Sequence, residues 1–386
     1  MKSALLRLLS HDWGGLAMAA IVGALGLLCT SIASSTAGRA VGAGLLLVSA
    51  VAALCSLRHI VTMARIRARY PAPGRRVDIG GFSIHLLAEG EARGRPAVVW
   101  MPGAHTAGFA FHHLHRRWRE EGRSILIDRP GTGWSDAGTF PRRTAKEAVE
   151  IVRALDEAGE IGPFIFAGHS FGGLLVANIA RRFPERVAAV VLLDATPLET
   201  IVFGPPTAAP GAMSREAFME AIRRAFGFVR DPIEQQRRAY PGASAVLDQM
   251  MAVLGPDVLP MRAVERGARA MCAAASIYEE LTPEGAGRVG WDTSVYDGDL
   301  EGLRVLLVAP RDAKELESQG PSGADEAARI AARTLRFYSR TRERYLATSS
   351  RAQRIYSPPG TGHNFPYEAP EFVIEVIRTA AAASAS

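Results

Sequence analysis

Acidic residues are nearly missing from the first seventy positions of this chain, where Asp12 stands alone against Lys2, Arg7, Arg39, Arg58, Arg65, Arg67 and Arg69. The net charge of that stretch equals the +6 of all 386 residues. Of the 45 basic and 39 acidic residues, the remaining 38 and 38 cancel over positions 71–386. A nucleic-acid partner is therefore excluded, since a binding domain would carry its own basic face. Cysteine is scarce as well. Cys29, Cys55 and Cys272 have neither metal-ligand spacing nor the pattern of a disulfide framework. The Gly131-Thr-Gly133 turn is not a G-x-G-x-x-G loop and no Walker lysine follows it, so it is no phosphate cradle. Nothing in the sequence calls for a cofactor or a metal. His112-His113-x-His115 does not change this, because on a helix the first two rings point about a hundred degrees apart.

What the first seventy residues do have is charge-free length. Gly14 to Ala33 and Ala40 to Leu57 contain no charged residue, and Arg39 lies in the short linker between them. Each run is long enough, or nearly so, to cross roughly 30 Å of hydrocarbon as a helix. The expectation is a membrane anchor over 1–70 with two transmembrane helices, at about 14–33 and 40–57. Basic residues flank both outer ends, so the positive-inside rule places the rest of the chain on the cytoplasmic face, as in an integral protein of a bacterial inner membrane. A cleaved signal peptide fits less well because a second apolar run follows. Buried helices of a soluble fold fit less well because neither run has a polar face.

After the Pro/Gly linker at Tyr70-Pro71-Ala72-Pro73-Gly74 the texture changes to alternating strands and helices. Arg76 to Ile79 and Phe82 to Ala88 flank Gly80-Gly81 as a hairpin. Strands are predicted at Ala97–Met101 and Ser124–Asp128, with a helix over Phe109–Glu121 between them. Thr144 is placed to cap a helix to Ala158, whose Ala148, Ile151, Val152 and Leu155 recur at helical spacing. Further strands follow at Phe164–Ala167, Val187–Leu193, Leu303–Ala309 and Gln353–Tyr356. A strandless, helical stretch interrupts them from Thr196 to about Asp299, and helices are expected over 325–346 and 369–381. This β-α-β-α order implies a mostly parallel sheet covered on both faces.

The centre of the pattern is Pro163-Phe-Ile-Phe-Ala-Gly-His-Ser-Phe-Gly-Gly173. The period changes from strand to helix across Ser170, and Gly168 and Gly172 leave room for a tight turn, as a nucleophile elbow requires. A serine needs a base and an orienting carboxylate. His363, in Gly362-His363-Asn364, is the candidate base. Two acids compete. Asp194 ends the strand after the elbow helix and is preferred, because a carboxylate at the tip of an apolar run requires a partner. Asp312, in the polar loop Ala309-Pro310-Arg311-Asp312, is the alternative. Phe171 and Ala104 are positioned to supply backbone N–H groups to an oxyanion. Asp128-Arg-Pro-Gly-Thr-Gly-Trp-Ser-Asp136 reads as a structural turn.

On Met101-Pro-Gly-Ala104, Asp128-Arg-Pro-Gly-Thr-Gly-Trp-Ser135, Gly168-His-Ser-Phe-Gly-Gly173, Leu193-Asp-Ala-Thr-Pro197 and Gly362-His363, the chain resembles the α/β-hydrolases over roughly Arg75 to Thr379. It is similar to the branch of lidded esterases, haloalkane dehalogenases and epoxide hydrolases. The resemblance implies an eight-stranded, mostly parallel sheet (core 75–195 and 300–381), a helical cap (196–299) inserted after the sixth strand, and a catalytic triad. It leaves both aspartates open, since relatives place the acid at either position. Two departures stand out. Pro102-Gly103 replaces the His-Gly of many relatives, and serine replaces the aspartate with which dehalogenases and epoxide hydrolases form an alkyl ester.

The expected function is therefore that of a membrane-anchored serine hydrolase cleaving apolar or lipid-like carboxylic esters through an acyl-enzyme. Its partners would be a small acyl substrate and the bilayer. Met213, Met219, Met250, Met251, Met261 and Met271, with Phe218, Phe226 and Phe228, are available for an adaptable cleft or a small cap core. Two other functions fit less of the sequence. One is a proline iminopeptidase-like aminopeptidase that uses Glu279-Glu280 for the substrate amine, and the other is a non-catalytic ligand-binding homologue.

Overall fold

The structure, a computed structural model, describes residues 2–103, 106–199, 210–229, 248, 251–282, 285, 292–310, 337 and 339–382. The chain begins with a short helix, α1 (Lys2–Leu9), and two long apolar ones, α2 (Gly14–Ile32) and α3 (Thr36–Arg69). The turn between α2 and α3 is shorter than the sequence suggested, because Ser35 accepts from the Gly38 N–H at 3.1 Å and starts the second helix early, taking Arg39 inside it. Helix α3 also runs on to Arg69, beyond the predicted end at Leu57. The extension survives because it has somewhere to pack, and His59 and Met63 are buried along it. The two helices pair closely, with Ser49 donating to the Ala19 carbonyl at 2.8 Å. Their outer faces, including Ile21, Leu28, Leu47 and Leu54, are exposed.

The sheet has eight strands: β1 (Arg75–Asp78), β2 (Ser83–Glu89), β3 (Val98–Met101), β4 (Ser124–Ile127), β5 (Phe164–His169), β6 (Val187–Leu193), β7 (Glu301–Ala309) and β8 (Ser349–Tyr356). Their order is β1-β2-β4-β3-β5-β6-β7-β8. The first two pairings are antiparallel and the rest parallel. Crossovers between parallel strands carry α4 (His112–Trp118), α5 (Thr144–Glu157) and α6 (Phe171–Arg182). Between β6 and β7 the described residues form α7 (Pro210–Ala225), α8 (Val258–Val264) and α9 (Arg269–Glu280), a helical insertion after the sixth strand. The chain closes with α10 (Phe365–Glu368) and α11 (Pro370–Ala382). Of the helix expected over 325–346, the described part begins at 337, and residues 339–347 are helical.

Alternation along the buried strands divides the core in two. Val99, Phe166, Val190 and Leu307 face α5 and α6 and meet Ile151, Leu155 and Leu175. Trp100, Ile165, Val191 and Val308 face the other way and meet Leu114, Trp118, Val373 and Ile377. Both faces of a parallel sheet are covered, which is why these strands read as continuous apolar runs.

One local expectation fails. Thr144 is the first residue of α5 and not its cap, and Arg143 before it caps with no side-chain bond. The orphan donors at this helix start are met from the insertion. Glu280 of α9 accepts from the Thr144 N–H at 2.8 Å and from its hydroxyl at 3.2 Å.

Candidate active site

Strand β5 ends at His169, and Ser170 turns the chain into α6 with φ 53° and ψ −122°. A non-glycine residue at positive φ is strained, and here the surroundings impose it. A Cβ on Gly172 would overlap the Met101 carbonyl oxygen, and one on Gly173 would overlap Cβ of Ala195. On the facing side, a Cβ on Gly103 would come within 2.9 Å of Cβ of Ser170. The elbow is thus wedged between the ends of β3 and β6. Phe171 is the first residue of α6, directly after Ser170, so its N–H belongs to the helix start and not to the interior ladder. Ala104 and Asp312 lie outside the described residues.

Asp194 follows β6 and also has positive φ, 46°. It is tied to the elbow through the backbone: Ser170 N–H donates to Leu193 O at 3.1 Å and Thr196 N–H to Ser170 O at 3.1 Å. His363 comes from the loop after β8. Its Nδ1 lies 2.5 Å from Oδ2 of Asp194, which is buried while the imidazole is half exposed. The structure therefore brings His363 and Asp194 together beside the elbow that bears Ser170.

Two further residues hold this pair, and neither was legible from sequence. His169 Nε2 donates to the His363 carbonyl oxygen at 2.8 Å, and the two rings are 4.7 Å apart. Arg342 Nε lies 2.9 Å from Asp194 Oδ1, an ion pair and not an aligned hydrogen bond. Burial alone would raise the Asp194 carboxyl, but Arg342 and His363 together hold it below the usual carboxylate range. Burial pushes His169 down to about 3, helped by the neighbouring His363, so its ring is neutral and free to donate from Nε2. His169 is the x of G-x-S-x-G, a position whose chemistry the motif does not fix. Arg342 has no signal at all, being one arginine in an arginine-rich helix.

The remaining sequence candidates fall elsewhere. His113 Nε2 donates to the Pro366 carbonyl oxygen at 2.9 Å; His115 Nε2 lies 2.9 Å from Glu89, an acid the sequence spacing did not bring near. Among the described residues no cluster of three or more His, Cys, Asp or Glu could hold a metal ion. Asp128 accepts from the Trp134 N–H at 3.0 Å and pairs with His85 at 2.8 Å, which closes the turn as a structural element. Glu279 pairs with Lys2 at 3.0 Å and Glu280 is engaged by Thr144, so both acids considered for an amine are occupied. Met261 packs into the sheet core on the side of Trp100 and Trp118, and Met271 packs with Ala221 and Cys272 in the insertion, while Met219 is exposed. The apolar residues against Phe171 are instead Leu174, Leu198, Ile277 and Leu281.

Sheet order, elbow and insertion after β6 together define the α/β-hydrolase fold. Residues 111–237 match the family described as alpha/beta hydrolase fold. Among curated proteins, the chain is 26% identical over 121 residues to epoxide hydrolase 4 of Mus musculus, covering 31% of this chain and 33% of that one. It is 29% identical over 126 residues to 2-(acetamidomethylene)succinate hydrolase of Mesorhizobium japonicum, covering 32% and 43%. The chain spans two fifths or less of the length of the first curated relatives it matches. Among solved structures, a probable hydrolytic enzyme from Pseudomonas aeruginosa superposes with a TM-score of 0.55 at 16% identity, covering 81% of this chain and 95% of that one.

Proposed function

We propose that this protein is a serine hydrolase that cleaves carboxylic esters of apolar or lipid-like character through an acyl-enzyme, held at a membrane by α2 and α3. The observation that carries the reading is the 2.5 Å contact of His363 with Asp194 beside a strained Ser170. In this reading Asp194 accepts from Nδ1–H of His363, which leaves Nε2 as the base toward the Ser170 hydroxyl. Ser170 Oγ attacks the ester carbonyl as its proton passes to Nε2, and the oxyanion is received by the Phe171 N–H with a second donor from Ala104. Nε2 returns the proton to the leaving alkoxide. Water then repeats the sequence on the acyl-enzyme and releases the acid. Serine as nucleophile favours acyl transfer over the epoxide opening named for one relative.

Three features support the membrane part of the reading. Each of α2 and α3 contains a window of mean hydropathy above 2, their apolar outer faces are exposed, and Arg58, Arg65, Arg67 and Arg69 follow the second apolar run. Exposed apolar surface on this scale is unfavourable in water and favourable in lipid.

The test is hydrolysis of nitrophenyl esters of graded acyl length by the full chain and its variants. Ser170→Ala is expected to abolish turnover and Asp194→Asn to lower kcat by ~10²–10⁴, while Asp312→Asn stays near wild type. An unaffected Asp194→Asn enzyme with a crippled Asp312→Asn enzyme would move the acid to Asp312.

A further inference from the structure

Beside the ends of α2 and α3 lies a cavity of about 700 Å³, a size typical of small-molecule sites, whose lining includes none of Ser170, Asp194 and His363. Arg7, Arg67, Arg76 and Arg269 line it against Asp12 and Asp136. The two acids are already committed, Asp12 to Arg67 and Asp136 to Arg76. Arg7 and Arg269 are held instead by backbone carbonyl groups, those of Phe140 at 3.5 Å and Gly133 at 2.7 Å. Among the described residues, therefore, two of the arginines that line the cavity, Arg7 and Arg269, form no ion pair with a carboxylate. The cost is visible at Arg269, whose pKa is lowered by burial first and by Arg67 next.

The position of the cavity identifies its occupant. It extends from Trp13, which immediately precedes α2, to Arg67 on α3. Arg67 lies ten residues beyond the end of the apolar run at Leu57, about 15 Å along a helix. The cavity thus begins where the hydrocarbon would end and continues into the water side, the depth range of lipid headgroups. Trp13 is half exposed and stacks on His11 at 4.8 Å, as an interfacial aromatic would.

We infer that this cavity holds the headgroup of an anionic phospholipid from the leaflet beside the hydrolase domain, with Arg7 and Arg269 receiving its phosphate. The inference rests on the membrane part of the proposed function and adds a lipid class to it. Cationic pockets next to membrane helices recognise anionic headgroups by this chemistry. Because Leu6 and Leu9 of α1 are buried among Ala217, Ala221 and Cys272 of the insertion, a lipid held by Arg7 would also fasten the insertion to the bilayer.

The test uses the full chain in mild detergent, titrated with phosphatidylglycerol or phosphatidylcholine and read by native mass spectrometry. Phosphatidylglycerol is expected to be retained preferentially, with about a fivefold loss of retention for each of Arg7→Gln and Arg269→Gln. Arg7 is exposed, so its variant carries the test even if the change at Arg269 perturbs folding. Arg95→Gln, on the exposed loop before β3, should leave retention unchanged. Equal retention of the two lipids, or of phosphatidylglycerol by Arg7→Gln and wild type, would overturn the inference. Displacement by an equal concentration of inorganic phosphate would overturn it as well, making the cavity a site for the free ion. Carbonate extraction of membranes separates the two readings. Release of the full chain would contradict the membrane anchor itself, whereas a retained chain blind to lipid charge would contradict only the headgroup site.

Discussion

The ring of His169 donates to the backbone carbonyl of His363 at 2.8 Å, so the residue before the elbow serine holds the loop that carries the proposed base. Strand β5 and the loop after β8 are otherwise separated in the sheet by β6 and β7. His169→Phe keeps the ring and removes the donor. We expect kcat to fall by ~10²-fold, since a displacement of about an ångström at a reacting group costs that much, with Ser170 still present for slow labelling. Steady-state kinetics on a short-chain nitrophenyl ester checks this, and an unchanged kcat would remove His169 as a positioning residue.

The same substitution has a pH signature. His169 titrates at about 3 in the fold, against 6.5 for an ordinary histidine. The native state holds it neutral while the unfolded chain takes up a proton below pH 6.5, so the stability it confers is present above 6.5 and lost as pH falls from there toward 3. In urea unfolding, the difference between wild type and His169→Phe should change over that window by about 1.4 kcal/mol per pH unit.

Arg342→Gln probes the acid from its other side. Arg342 and His363 depress the Asp194 carboxyl, a contribution present above the unfolded value near 3.8 and lost as pH falls through the folded one. Without Arg342 the folded pKa rises. The acidic limb of the activity profile should move to higher pH, with kcat at the plateau reduced less than by Asp194→Asn. A limb that stays in place would show that Arg342 does not set the charge of the acid.

Glu280 gives the opposite sign. Burial pushes its carboxyl up to about 7 although it accepts two bonds from Thr144. Its raised value means that stabilisation is fully present below the unfolded value near 4.5 and lost as pH rises through 7. Gln keeps the acceptor without the charge. Relative to wild type, Glu280→Gln should gain up to about 3 kcal/mol between pH 4.5 and 7, measured by denaturant unfolding. A flat difference would mean that Glu280 is ionised throughout.

The sheet, the elbow and the insertion were legible because each leaves a periodic or steric trace. Val187–Leu193 is an unbroken apolar run because both its faces are covered, and Gly172 is required because the Met101 carbonyl occupies the space of a side chain. What was not legible depends on long-range contacts. Thr144 looks like a cap from its neighbours, yet the carboxylate that serves α5 comes from α9. Leu57 looks like the end of a span because charges follow it, yet α3 continues where Met63 is buried close to Gly267. Arg342 meets Asp194 only through the closed fold, and no local pattern marks it.

The central claim is that the Ser170 hydroxyl is made nucleophilic by His363. Incubation of the full chain with a fluorophosphonate, followed by intact mass and peptide mapping, tests it most directly. The account predicts a single adduct on Ser170 in wild type, a much slower adduct in His363→Ala, and none in Ser170→Ala. An unmodified wild-type chain, or an adduct formed equally fast without His363, would contradict it.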